Sequence, residues 1–229
     1  MDPTIPVLVG TGQLTHRGPE PRRALDLLAD AAELALADAG GRLAGAVDAV
    51  WVVNVLSDPH PALASALAKR LLLDVPDRAV TTIGGNSPQA LVSSACELIR
   101  AGERQAVLIA GAEAGASARH PDRIDGPVFG GSADRVVGDP RMGVGSHELA
   151  VGLGPPSALY PLFESAIAAR SERDPTAHRR WLGRFCSPMA AMAADNDLAW
   201  FPMVYTADDI AEVTADNRLV AQPYTKRMN

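Results

Sequence analysis

The segment Thr81-Thr82-Ile83-Gly84-Gly85-Asn86-Ser87-Pro88-Gln89-Ala90-Leu91-Val92 joins a short β-rich run to an amphipathic helix, and the rest of the chain is organised around it. Residues 79–83 predict a strand, and apolar residues recur at helical spacing after Pro88. Ser87 is a favourable N-cap and Pro88 a favourable first helical residue. Glycine lets the main chain approach a ligand closely, and the free amides of a helix N-terminus attract anions. This turn is therefore a candidate site for an oxyanion or a phosphate.

Length and composition exclude several classes of protein. The chain has 229 residues, of which 47% are hydrophobic, enough for one substantial core, and it has no long apolar run of membrane-spanning type. The sequence begins without a secretory signal, so we expect a cytoplasmic protein that does not enter a membrane. The net charge of −6, without a basic cluster, argues against nucleic acid as a partner. Cys96 and Cys186 lack metal-ligand spacing, so we expect reduced, structural thiols and no metal site.

The first 113 residues alternate strand-like and helix-like segments. Apolar strand-like runs cover residues 5–9, 47–56, 79–83 and 106–112, and helical patterns cover residues 22–39, 63–73 and the segment after Pro88. The continuous apolar character of the runs predicts a mixed, mostly parallel sheet with helices on both faces. Gly10 and Gly12 follow the first run, but Thr15 stands where a dinucleotide-binding fingerprint needs its third glycine. We therefore expect an α/β fold without a Rossmann cofactor site.

The composition changes after residue 113. Residues 114–157 are dense in Gly, Ser, Asp and Pro, which is typical of a functional loop or a lid. Helical patterns follow at residues 161–173, 175–195 and 207–213, and residues 216–229 indicate an extended segment. The second of these helices is predicted to bury one row of side chains, Trp181, Phe185, Met189 and Met192. His178, with Arg179 and Arg180, is predicted to lie on its solvated face.

Three stretches carry a resemblance to a known family: residues 6–13 (PVLVGTGQ), 84–91 (GGNSPQAL) and 101–113 (AGERQAVLIAGAE). Together they resemble the N-terminal half of a thiolase, in particular the long, thiolase-like acetyl-CoA acetyltransferase proteins of actinobacterial type. The resemblance implies a thiolase-like fold in three parts. Residues 1–113 would form the N-terminal α/β half, residues 114–215 an inserted, partly helical loop region, and residues 216–229 a segment that leads to a missing fifth strand.

The resemblance also places Gly84 in the position of the family's nucleophilic cysteine. In thiolases that thiolate sits at the strand-to-helix junction, where the helix N-terminus favours its charge, and takes the acyl group from coenzyme A. Glycine cannot form an acyl-enzyme, and the family's catalytic histidine, second cysteine and oxyanion-hole asparagine belong to a C-terminal half. The resemblance therefore implies no catalytic residue in this chain. It leaves the turn Gly84, Gly85, Asn86 and Ser87 as the floor of an acyl-CoA pocket.

Other reactive side chains fit structural roles better. Ser87 could replace the nucleophile, but no histidine stands in a recognisable relation to it, so its expected role is helix capping. Cys96 lies about two turns into the helix, too far to take over the position of Gly84. His147, in the loop Gly-Ser-His-Glu-Leu, falls near a histidine that lines the substrate pocket of some thiolases, and it could equally be an exposed loop residue.

Three functions remain open from the sequence. The first is an acyl-CoA-binding subunit or fragment of an acyltransferase-type assembly, a homo- or hetero-oligomer in which another chain supplies the C-terminal thiolase half. The coenzyme A thioester would be its substrate or ligand, and no cofactor would be bound permanently. The second is a pseudo-thiolase scaffold without catalytic activity. The third is a thiolase-fold carbon-carbon lyase of retro-aldolase type, which would act on acyl-CoA with an OB-fold partner.

Overall fold

The structure is a computed structural model that describes residues 5–123, 133–141 and 143–228, and only the backbone of residue 42. It divides into two compact units, Met1–Met142 and Gly143–Asn229. None of the helices in the described residues combines the length and the apolar composition that a bilayer crossing requires.

The first unit alternates strands and helices, as predicted. Its elements are α1 (Ala24–Asp38), a 3-10 turn (Arg42–Ala46), β1 (Val47–Val52), α2 (Leu63–Arg70), β2 (Asp77–Thr81), α3 (Ser87–Arg100), β3 (Ala106–Ala110), α4 (Gly115–Ala118) and β4 (Arg135–Val137). The four strands form one parallel sheet in the order β3-β1-β2-β4. The predicted α/β fold with a parallel sheet is confirmed.

Helices cover both faces of this sheet. On one face, Leu28 of α1 and Leu67 of α2 pack in one buried cluster with Val50 and Val52 of β1. On the other face, Leu91 of α3 packs in a second cluster with Trp51 of β1 and Ala79 of β2. Alternate residues of β1 thus point to opposite helix layers, which explains why its apolar run is continuous.

The register brings the carboxyl ends of three strands to one edge. Val52 of β1 pairs with Val80 of β2 on one side and with Ala110 of β3 on the other. The segments that follow these strands therefore leave the sheet side by side. In open α/β sheets, this edge is where ligands bind.

The prediction of a buried strand at residues 5–9 is wrong. The run is extended and unpaired, and Leu8 is 84% exposed. The residues that follow the run pack tightly against α1. A Cβ atom on Gly10 would stand only 2.3 Å from the carbonyl oxygen of Ala35. β3 pairs only with β1, and no strand of the described residues joins its other edge. The run thus pairs neither with the free edge of β3 nor with another described strand.

The second unit is mainly helical. Its elements are α5 (Ser146–Ala150), α6 (Pro156–Arg170), α7 (Pro175–Ala194), α8 (Ala207–Ala211), the antiparallel pair β5 (Leu219–Ala221) and β6 (Tyr224–Thr225), and a 3-10 turn (Lys226–Met228). The three predicted helices are present, although α6 begins at Pro156 rather than at residue 161. Asp174 caps α7, since its carboxylate accepts hydrogen bonds from the amides of Thr176 and Ala177.

The prediction of which side chains of α7 are buried is wrong, both for the histidine predicted to be exposed and for the row predicted to be buried. His178 is fully buried, whereas the exposed fractions of the row Trp181, Phe185, Met189 and Met192 are 36%, 56%, 56% and 74%. The inward face is the one that carries Gly183, which lies against α8. A Cβ atom there would stand 2.3 Å from the carbonyl oxygen of Ala207. Close packing at this glycine turns the apolar row towards solvent.

Candidate functional site

The turn between β2 and α3 begins the helix one residue away from the predicted place. Asn86 is the N-cap and makes no side-chain bond to the first helical turn. Ser87, predicted as the N-cap, is instead the first helical residue, and its hydroxyl donates to the carbonyl oxygen of Thr82 over 3.1 Å. The amide of Ser87 donates to the carbonyl oxygen of Gly84 over 3.0 Å and closes the turn. The first amides of α3 thus receive no side-chain cap.

The two glycines of this turn have different surroundings. A Cβ atom on Gly84 would lie 2.8 Å from the Asn86 side-chain oxygen and 3.2 Å from the Ser87 hydroxyl oxygen. A Cβ atom on Gly85 would have no described atom within 4 Å. Residues 83–86 are exposed, while Ser87 is 6% exposed. A side chain at residue 84 would therefore displace the exposed end of the Asn86 side chain, whereas the space at residue 85 is open.

Two polar residues that sequence reasoning missed lie at the same edge of the sheet. Asn54 follows β1, and its backbone amide and side-chain amide donate to the hydroxyl and the carbonyl oxygen of Thr81 over 3.0 and 3.1 Å. Glu113 follows β3, and its carboxylate accepts from the amides of Leu56 and Ser57 over 2.8 and 3.0 Å. Both residues come shortly after a buried apolar run of the sequence. That position is the signal from which they could have been predicted to lie at this edge. Their bonds fix the segments after β1, β2 and β3 relative to one another.

Two carboxylates from distant loops cap the helices on the other side of the sheet. Asp58 accepts from the amide of Ala24 over 3.1 Å and from the guanidinium of Arg23, so it caps α1. The hydrogen bond from Arg23 lowers the pKa of Asp58 and outweighs its burial. Asp134 accepts from the amide of Ala64 over 2.7 Å at the start of α2. These acidic groups have structural roles and are not available to a substrate.

A buried polar cluster in the second unit is also structural. His178 accepts a hydrogen bond at Nδ1 from Nε of Arg173 over 3.1 Å, and its Nε2 lies 2.7 Å from the Glu164 carboxylate. Because Nδ1 accepts, the proton sits on Nε2 and is donated to Glu164, so neither nitrogen is free to act as a base. Burial, together with the charge of Glu164, raises the pKa of the nearby Cys186 thiol. Cys186 is therefore not an activated nucleophile.

The remaining candidates are spread over the chain. His147 is exposed on α5 of the second unit, and its pocket-lining role stays a prediction. Cys96 is a free, partly buried thiol on α3. Ser87 makes no side-chain hydrogen bond to a histidine in the described part of the chain, so it lacks a general base there. No group of three potential metal ligands occurs among the described residues.

Similarity to known proteins is found only at the level of structure. No protein-family model matches the sequence, and no curated protein is similar enough to match it. A monomeric SCP2-thiolase like protein type 1 from Mycobacterium smegmatis aligns with 99% of this chain at 27% identity and a TM-score of 0.75. The Ltp2-ChsH2(DUF35) aldolase aligns with 98% of it at 18% identity and a TM-score of 0.66. The alignments cover 43% and 52% of those two chains, so this chain spans about half of their length.

Proposed function

Because this chain has a thiolase-superfamily fold, we propose that it binds an acyl-CoA thioester at the turn of residues 84–87, as the acyl-CoA-binding part of an acyltransferase-type assembly. The observation that carries this proposal is the pair of glycines at the N-terminus of α3, on the sheet edge where β1, β2 and β3 end. The amides of Ser87 and Ala90 are already hydrogen-bonded, and Pro88 has none. Those of Gly85, Asn86 and Gln89 have no partner among the described residues and can hold an anionic or carbonyl oxygen. The open space at Gly85 lets a ligand approach the backbone.

The same turn cannot carry out the covalent step. Residue 84 has no side chain, and the space that one would need is taken by the Asn86 oxygen at 2.8 Å. Ser87 donates its hydroxyl proton to a carbonyl oxygen and is almost fully buried, so it cannot substitute. The chain therefore binds and orients the thioester. Reacting groups, where the assembly is active, come from residues outside this chain.

The sheet itself supports a completing segment. β3 has one free edge among the described residues, and free edges favour pairing with another strand. The apolar run of residues 5–9 is exposed and likewise unpaired. We propose that a strand from outside this chain, on the same longer polypeptide or on a partner chain, pairs with β3 and covers this run.

Two other functions use the same binding turn. A carbon-carbon lyase of retro-aldolase type is favoured by the absence of a side chain at Gly84, because retro-aldol cleavage needs no acyl-enzyme. An OB-fold partner would belong to this second function. A pseudo-thiolase scaffold would bind the thioester and catalyse nothing. Thiolysis of acetoacetyl-CoA by the complete assembly separates them from the first function. Turnover that survives Ser87→Ala and Cys96→Ala would place the reacting groups outside this chain.

Incubation of the chain with acetoacetyl-CoA, followed by intact-protein mass spectrometry, tests the binding role. We expect the thioester to bind reversibly and the denatured protein to carry no acyl group. An acyl adduct on a residue of this chain would contradict the proposal, because it would require a nucleophile that the turn does not have.

A further inference from the structure

The exposed row of α7 is an apolar feature that the proposed function does not use. Trp181, Phe185, Met189 and Met192 follow one another at steps of four, four and three residues, so they share one face of the helix. No described residue covers them enough to bury them. Soluble proteins seldom leave such a row uncovered, and it marks a docking surface.

Charges of both signs lie beside this row. Arg184 stands near its middle and Asp195 directly after the end of α7, and both are exposed. They are eleven residues apart, or about three full turns, so they project from the same flank of the helix. Neither side chain forms a hydrogen bond or an ion pair with the described residues. One flank thus offers a positive and a negative charge that both lack a partner there.

We propose that α7 packs against α7 of a second copy of this chain, antiparallel, about a two-fold axis that passes between Met189 and Ala190. In an antiparallel pair, equivalent flanks of the two helices face each other. In this register, Arg184 of each copy lies opposite Asp195 of the other copy along the helix axis. The register also places Met189 of one copy next to Met189 of the other at the axis, so that the apolar rows of the two helices face each other.

A second copy fits this surface better than another occupant does. An interface about a two-fold axis must be self-complementary, and the placement of Arg184 and Asp195 on one flank meets that condition. The row lies along an exposed helix rather than in an enclosed cavity, which favours a helix over a small molecule. Exposed ion pairs contribute only about 0.2–1 kcal/mol each. The apolar row would therefore give the affinity, and the charges would fix the register.

Analytical ultracentrifugation of the whole chain tests this pairing. We expect a dimer, and we expect Phe185→Asp to raise the dimer dissociation constant at least tenfold. Phe163→Asp is the matched control, since Phe163 on α6 is 63% exposed and Phe185 is 56% exposed. This control should leave the dissociation constant unchanged. A monomeric wild type, or a dimer that is weakened equally by both variants or by neither, overturns the proposal.

Charge reversal tests the register. Arg184→Asp and Asp195→Arg should each weaken self-association, because each brings like charges together twice across the two-fold axis. The double variant should regain the wild-type dissociation constant, and the two single variants should form mixed dimers when combined. Failure of both rescues contradicts the antiparallel register. Protection of α7 by a different segment, in a longer polypeptide that contains this chain, contradicts the choice of a second copy.

Discussion

The side-chain oxygen of Asn86 stands 2.8 Å from the position that a Cβ atom of residue 84 would occupy. That distance is shorter than real Cβ contacts allow, so any side chain at residue 84 would require Asn86 to move. Residue 84 itself has no side chain, and one placed there would displace only the exposed end of the Asn86 side chain. In the proposed function, the missing side chain at residue 84 is the reason why the turn would bind a thioester without reacting with it.

A thiol at residue 84 should restore a nucleophile, because only the exposed end of the Asn86 side chain has to move to make room for it. We expect Gly84→Cys to give an acetyl adduct with acetyl-CoA, and Gly84→Cys combined with Asn86→Gly to give at least as much of it, because a thiol at a helix N-terminus has a lowered pKa. Intact-protein mass spectrometry measures the adduct. Gly85→Cys reports the background reactivity of an exposed thiol one residue away. Equal labelling of the double variant and this control would contradict the assignment of residue 84.

Removal of the Asp58 carboxylate, which caps α1 from a distant loop, should destabilise the first unit. It should also change how the free energy of unfolding depends on pH. The folded pKa of Asp58 is lowered by Arg23, so its stabilisation is present above the ordinary carboxyl pKa of about 3.9 and is lost as the pH falls through the folded pKa. We expect Asp58→Asn to cost about 0.5–2 kcal/mol at neutral pH, as lost caps do. The difference from wild type should shrink at acid pH.

Urea unfolding at several pH values measures the difference. Asp139→Asn is the control, since Asp139 is a half-exposed carboxylate that pairs with Arg141, only two residues away. The Asp139→Asn substitution should change the free energy of unfolding little at any pH. A pH-independent effect of Asp58→Asn would show that the Arg23 pair does not carry the stabilisation.

The contact of α7 with α8 should tolerate no added methyl group at Gly183. A Cβ atom there meets the backbone oxygen of Ala207 at 2.3 Å, and backbone cannot move aside as a side chain can. We expect Gly183→Ala to destabilise the second unit by about 1–3 kcal/mol, the usual cost of overpacking. Gly143→Ala, with open space around its Cβ position, should have little effect in the same urea titration. Equal stability of the two variants would contradict this packing.

The α/β fold and the placement of the turn could be predicted from the sequence, because they depend on local patterns. Continuous apolar runs gave β1, β2 and β3, and Pro88 with the preceding glycines gave the start of α3 to within one residue. The contacts at that start could not be predicted. Whether Ser87 bonds to α3 or to Thr82, and where the Asn86 oxygen lies, depends on the folded backbone of the turn.

Two of the wrong predictions have a common physical reason. Residues 5–9 and the row on α7 have the apolar pattern of buried segments, and both are exposed. Such a pattern indicates that a segment is covered, but it does not say by which part of which chain. His178 shows the converse: its flanking arginines indicate a solvated face, yet Glu164 and Arg173 satisfy both ring nitrogens in the interior.

The most direct test of the account is the affinity of acetoacetyl-CoA for the chain, measured by isothermal titration calorimetry on wild type, Gly85→Leu and Gly45→Leu. Both glycines have open space around the Cβ position, so neither substitution should disturb the fold, but only Gly85 lies at the proposed binding turn. We expect binding by wild type and by Gly45→Leu with the same dissociation constant, and at least tenfold weaker binding by Gly85→Leu. No binding by wild type, or equal binding by all three, would contradict the proposed acyl-CoA site.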